Sequence, residues 1–203
     1  MRVITVANLK GGTGKTTTAA FLAHALPGQV LVVDADPAGS LLRWAELGGW
    51  VIPVVGLPTR ELHKRLPAIG YGYDLAVIDT PPLDDQAGIV YSALRVADDV
   101  VVPMGPSTME VDRLGPVLAA AEEVAPLREV PARVSVLLTR TVPRANSTAA
   151  ARQVVTDAGY QVLTATVPRL ERYAQAFGST PDLATEDPYL EVVAELVGTE
   201  VVS

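Results

Sequence analysis

The eight residues Lys10-Gly11-Gly12-Thr13-Gly14-Lys15-Thr16-Thr17 constrain this chain more than any other stretch. They follow an apolar, β-branched run, Val3-Ile4-Thr5-Val6-Ala7, and open into Thr18-Ala19-Ala20-Phe21-Leu22-Ala23. A strand that ends in a glycine-rich turn and continues as a helix points successive backbone N–H groups at one place. The positive end of the helix dipole adds to them, so the turn is a phosphate cradle. Two lysines in so small a loop repel unless a polyanion lies between them or one reaches elsewhere. The chain carries three lysines against thirteen arginines, and two of the three lysines stand here. A chain that uses arginine almost everywhere else needs an ammonium at this point.

Gly14-Lys15-Thr16 matches the second half of a Walker A loop, with the lysine for the β- and γ-phosphates and the hydroxyl for Mg²⁺. The strict pattern G-x-x-x-x-G-K-[ST] fails at its first glycine, where Leu9 stands, followed by Lys10. In this form the loop resembles the deviant Walker A motif of the ParA/MinD family of P-loop ATPases, and within it the small plasmid-type ParA partition ATPases. The resemblance implies ATP and Mg²⁺ as cofactors. It makes Lys10, Gly11, Gly12, Thr13, Gly14, Lys15, Thr16 and Thr17 nucleotide-binding residues and places Thr16 on the metal. Lys10 would reach across a homodimer to the nucleotide of the other subunit, so Lys10 and Lys15 count as catalytic.

Further segments extend the resemblance. Val30–Val33 leads into Asp34-Ala35-Asp36-Pro37, and side chains one residue apart at a strand end project to opposite sides. By resemblance Asp36 positions the attacking water, and Asp34 lies nearer the loop and its metal. The family's usual glutamine after the proline is replaced by Ala38. Leu75-Ala76-Val77-Ile78-Asp79 has the Walker B arrangement, in which the carboxylate serves the metal, and Thr80-Pro81-Pro82 resembles the family's switch II. Asp84 and Asp85 read as solvated loop or helix-cap carboxylates. The stretch from Pro103 through Glu110 to Asp112 resembles a family segment to which no chemistry is assigned, part of a dimer or partner surface.

In the second half the resemblance is one of pattern. Thr139, Arg140, Pro168 and Arg169 occupy the two loops that flank adenine in the family. Between Val134 and Gly178 five arginines face two carboxylates, whereas from Ser179 onward Asp182, Glu186, Asp187, Glu191, Glu195 and Glu200 are all negative. Arg144, Arg152 and Arg172 are the candidate contacts to duplex phosphates, which give salt-dependent binding without sequence readout. His24 and His63 have no partners at metal spacing and read as structural, and Trp44 and Trp50 as core.

Strands are expected over 2–8, 29–33, 50–55, 74–79, 99–103, 132–139 and 161–167. Helices are expected over 16–26, 40–47, 60–68, 86–96, 109–125, 147–158 and 189–197. This alternation, with strands apolar on both faces, predicts an α/β fold: a mainly parallel twisted sheet covered by helices on both sides. At 203 residues a single P-loop ATPase domain, residues 1–203, is the expectation. The absence of cysteine excludes thiolate-held iron–sulfur clusters, and with them the nitrogenase-iron-protein branch of the superfamily. A net charge of −7 argues against a general polyanion binder. No run of about 18 apolar residues and no signal-peptide pattern occur, which predicts a cytoplasmic protein, nucleoid-associated when ATP-bound.

Four outputs compete. The leading one is DNA partition, in which an ATP-bound homodimer holds non-specific DNA and a ParB-like centromere-binding adaptor stimulates hydrolysis. The alternatives are a switch that positions another cellular apparatus, a MinD-like membrane ATPase, and a small-molecule enzyme resembling dethiobiotin synthetase. The membrane alternative needs a basic amphipathic C-terminal helix; residues 189–203 contain no lysine or arginine. No membrane partner is expected.

Overall fold

The computed structural model describes residues 1–198; Glu200, part of the acidic run noted above, lies outside the described residues. Seven strands form one parallel sheet: β1 (Arg2–Val6), β2 (Val30–Asp34), β3 (Val54–Gly56), β4 (Leu75–Asp79), β5 (Asp99–Met104), β6 (Arg133–Thr141) and β7 (Gln161–Pro168). Their spatial order is β3-β2-β4-β1-β5-β6-β7. The helices are α1 (Lys15–Ala25), α2 (Ser40–Gly48), α3 (Leu62–Ile69), α4 (Leu83–Leu94), α5 (Thr108–Asp112), α6 (Gly115–Val124), α7 (Asn146–Asp157), α8 (Glu171–Ala174) and α9 (Pro188–Val197). The fold is α/β.

The strands read as unbroken apolar runs because both faces of the sheet are covered. Successive residues feed opposite cores. Ile4, Val30, Val32, Val77, Val101 and Leu137 pack under α1 and α9, while Val3, Leu31, Val33 and Ile78 face α3 and α4. Val100, Val102, Val136 and Leu138 pack against α4, α6 and α7. From β1 the chain first builds outward on one side, to β2 and β3, and later on the other, from β5 to β7. That reversal leaves a crevice at the carboxyl ends of β1 and its neighbours, which is where doubly wound sheets bind ligands.

The elements stand where the sequence predicts, with four differences. The expected strand over 50–55 shrinks to three residues because Gly49, with φ of 60°, ends α2 by turning the chain, and Trp50 is used for packing. Its ring lies edge-on to His24 and Trp44, and both indole N–H groups donate to the carbonyl of Ser179. The helix expected over 109–125 is two helices, α5 and α6, broken at Arg113 and Leu114 just before Pro116. α4 begins three residues early but is kinked at Gln86 (φ −138°, ψ 51°), so its first turn is a separate unit. Finally, α8 is a short turn of helix after β7 that the sequence reading left unassigned.

Candidate nucleotide site

β1 delivers the glycine-rich loop into the crevice, and Asn8 fixes its entry. The buried Asn8 amide donates to the Pro103 carbonyl of β5 at 2.7 Å, and its oxygen accepts from Leu9 N at 2.6 Å. Gly12 (φ 75°) and Gly14 (φ 92°) adopt left-handed backbone, which a side chain would strain. Gly14 caps α1 with no side chain, and α1 has no acidic residue in its first turn. The N–H groups of that turn therefore lack an internal acceptor and form an anion site.

Lys15 is buried, and its Nζ arches back to the carbonyl of Lys10 at 3.0 Å. Burial lowers its pKa, while Asp79, Asp36, Asp84 and Asp85 oppose that shift. Lys10 does the reverse: its side chain leaves the loop, stays exposed, and pairs with Asp84 in the first turn of α4. Two lysines five residues apart thus point to different places, as their repulsion requires.

Asp34 and Asp79 close the adjacent strands β2 and β4 as register partners, each 1 % exposed. Asp34 spends both oxygens on backbone, accepting from Asp36 N at 3.1 Å and Leu42 N at 2.9 Å. Asp34, expected near the metal, thereby also organises the turn into α2. Neither oxygen of Asp79 has a partner at full hydrogen-bond geometry, and the Thr16 hydroxyl is its near neighbour. Burial raises its pKa to about 7, with the Thr16 hydroxyl and the Lys15 ammonium pulling down and Asp34 and Asp36 pushing up. An unpartnered buried carboxylate is costly, by several kcal/mol if charged, and open lone pairs beside a hydroxyl fit a hard, oxygen-seeking cation. No group of three metal-ligating side chains gathers among the described residues. Mg²⁺ takes one or two protein ligands and fills its remaining positions with water and phosphate. Asp36 is half-buried; its Oδ1 accepts from Ala38 N at 2.9 Å.

A cavity of about 590 Å³ adjoins the loop, a size suited to a nucleotide base and sugar. Thr139, Arg140, Pro168 and Arg169 all line it together with Gly12, Gly14 and Thr17. Its apolar wall is Val167, Tyr173 and Tyr189, the two tyrosines packing around Phe21. Arg140, at φ 53°, spans the mouth: it donates to the Gly12 carbonyl at 3.3 Å and pairs with Glu110 at 2.6 Å. Glu110 also accepts from Gly105 N at 2.7 Å, so the segment to which no chemistry was assigned holds a strut against the phosphate loop.

The three arginines expected on duplex phosphates are not brought together. Arg152 donates to the carbonyls of Leu163 and Thr164 at 2.7 and 3.1 Å, binding α7 to β7. Arg172 pairs with the fully buried Asp187 at 2.9 Å and with the Tyr173 hydroxyl at 2.9 Å. Only Arg144 is a free, exposed guanidinium among the three, on a loop at φ 63°. Arg152 and Arg172, expected on duplex phosphates, thus spend donors on the fold. Asn8, Asp84 and Glu110 escaped the sequence reading as site residues, because each acts through a partner distant in the chain.

A parallel sheet whose central strand ends in a glycine-rich loop and helix, beside an aspartate with open lone pairs, defines a P-loop NTPase. Residues 4–180 match the family described as the CobQ/CobB/MinD/ParA nucleotide binding domain, and the chain belongs to that family of P-loop ATPases. It is 35 % identical over 192 residues to the maintenance of carboxysome distribution protein A of Gloeobacter kilaueensis, covering 91 % of this chain and 82 % of that one. The chromosome-partitioning ATPase Soj of Thermus thermophilus is 34 % identical over 222 residues, covering 89 % and 87 %. In fold the chain is similar to the ATP complex of the D38A variant of Cyanothece McdA, with a TM-score of 0.73, 24 % identity, and 98 % and 96 % coverage.

Proposed function

We propose that this protein is a ParA-type positioning ATPase. As one ATPase domain it dimerises on ATP, holds non-specific DNA in that state, and is reset when a cargo-bound adaptor stimulates hydrolysis. ATP is the substrate and Mg²⁺ the cofactor. The observation that carries the reading is the divergence of the two loop lysines. Lys15 is buried among the phosphate-facing N–H groups, and Lys10 is exposed and directed out of its own loop. An ammonium so placed suits charge on a nucleotide held by a second copy.

Within one subunit Lys15 and the first-turn N–H groups of α1 bind the phosphates. Asp79 and the Thr16 hydroxyl would hold Mg²⁺, which would supply charge neutralisation to the bound phosphates. Asp36 keeps an oxygen for a water, orienting it toward the γ-phosphate. Thr139, Arg140, Pro168 and Arg169 enclose the base. The cargo assigned first from sequence was DNA. Similarity to carboxysome distribution proteins at 35 % and 30 % identity favours a protein assembly as cargo, and the Soj similarity keeps a chromosome or plasmid as the second reading. Among the described residues no helix is long and apolar enough to cross a membrane. The apolar side of α9, Tyr189, Val192, Val193 and Leu196, is already buried.

The test is binding to a random-sequence duplex with ATP, with ADP and without nucleotide, at two salt concentrations. ATP-dependent binding that weakens steeply with salt supports the reading. Equal binding in all three nucleotide states, or none, rejects the DNA-borne cycle.

A further inference from the structure

Asp84 is exposed in the first turn of α4, as a solvated loop or helix-cap carboxylate should be, and it is also tied to the phosphate loop. Its carboxylate takes the Lys10 ammonium, which holds Asp84 below the usual carboxylate range. The backbone beside it is stitched to the loop entry, with Leu83 N donating to Asn8 O at 3.1 Å and Asp84 N to Leu9 O at 3.3 Å. The kink at Gln86 follows at once, so the turn bearing Asp84 can move without the rest of α4. Lys10 is tethered at a second point as well, since the one hydrogen bond of the Lys15 ammonium goes to the Lys10 carbonyl.

We propose that Asp84 is a positioning residue that holds Lys10 in cis until nucleotide arrives. This rests on the functional reading above. A triphosphate in the loop draws the Lys15 ammonium off the Lys10 carbonyl and competes with Asp84 for the Lys10 ammonium. Both tethers are ionic or polar and both yield to the same anion. Lys10 is then released toward phosphate, and the first turn of α4 loses its side-chain tie to the loop. Asp84 thereby sets the ATP concentration at which Lys10 becomes available to a second subunit.

The experiment compares wild type with Asp84→Asn, Asp84→Glu, Lys10→Ala and the Lys10→Ala/Asp84→Asn double variant. It measures MgATP affinity with a fluorescent analogue, steady-state KM and kcat, and the ATP concentration for half-maximal dimerisation by light scattering. Asp84→Asn is expected to lower that concentration and KM by roughly two- to fivefold, the scale of one exposed ion pair. Asp84→Glu is expected to restore wild-type values. In the Lys10→Ala background the same Asn substitution is expected to leave MgATP affinity unshifted. An equal shift with and without Lys10 would mean that the carboxylate acts on phosphate directly, and overturns the holding role. Absence of any shift overturns it as well. A wild-type protein that fails to bind MgATP would overturn the functional reading itself, and shows at the first measurement.

Discussion

The ends of β2 and β4 carry the same residue type, at the same burial and in register with each other, yet they do opposite things. After Asp34 the chain offers donors: the N–H of Asp36 and, from the start of α2, that of Leu42. After Asp79 it runs Thr80-Pro81-Pro82, and neither proline has an N–H to give, while Thr80 N is spent on Val6 O at 3.3 Å. One carboxylate is therefore satisfied by its own turn and the other is left open. The difference teaches that burial at a strand end does not by itself leave a carboxylate open; the absence of local donors does.

That contrast predicts opposite trade-offs. Asp79→Asn is expected to lower ATP turnover by at least about a hundredfold, on the scale of losing a principal transition-state stabiliser, while raising the melting temperature of the nucleotide-free protein. Turnover near wild type would place the metal on another residue. Lys15→Ala breaks the other side of the same site. Loss of MgATP binding by at least about tenfold is expected from removing a charged phosphate contact, and unchanged affinity in equilibrium titration would dismiss the loop as a phosphate site.

Asp34→Ala should show the converse, a stability loss of about 1–3 kcal/mol for two buried N–H groups left unpaired, read as a drop in the urea midpoint. If it instead left stability intact and abolished metal-dependent binding, the two aspartates would have exchanged roles.

The pH dependence sharpens the comparison further. Asp79 has a folded pKa raised to about 7. Between the unfolded value near 4 and 7 the folded state keeps a proton that the unfolded state has released. Stability from this group is therefore present below about pH 4 and is lost as pH rises through 7. Asp34, also raised by burial, contributes in the same direction. Asp79→Asn should flatten the fall in stability between pH 5 and 8 in part, and Mg²⁺ affinity of the wild type should rise across the same window. The smallest effect is expected for Lys10→Ala: MgATP affinity within about threefold of wild type, as for an exposed charge, with ATP-dependent dimerisation lost in light scattering.

Much of this was legible beforehand for reasons of local chemistry. Lys10, Lys15 and Thr16 are legible as candidates because a phosphate loop needs particular groups next to one another in the chain, and Asp79 because it ends an apolar strand. The four base-pocket candidates line the cavity because loops after parallel strands return to one edge. The arginines are less legible. Sequence counts charge, but Arg152 and Arg172 are spent on carbonyls and a buried carboxylate that only packing brings within reach. Asp84 is exposed in the first turn of α4, as its sequence reads, but its pairing with Lys10, 74 residues away, is not legible in the chain.

By itself, then, the chain's order of residues determined the parallel α/β architecture and the phosphate loop. Both follow from short-range rules: apolar runs that need two covered faces, and glycines that permit a left-handed turn before a helix. The tertiary structure alone decided which arginines remain free and that Lys10 pairs with Asp84. Those outcomes depend on donors and acceptors satisfied by partners that sequence distance does not reveal.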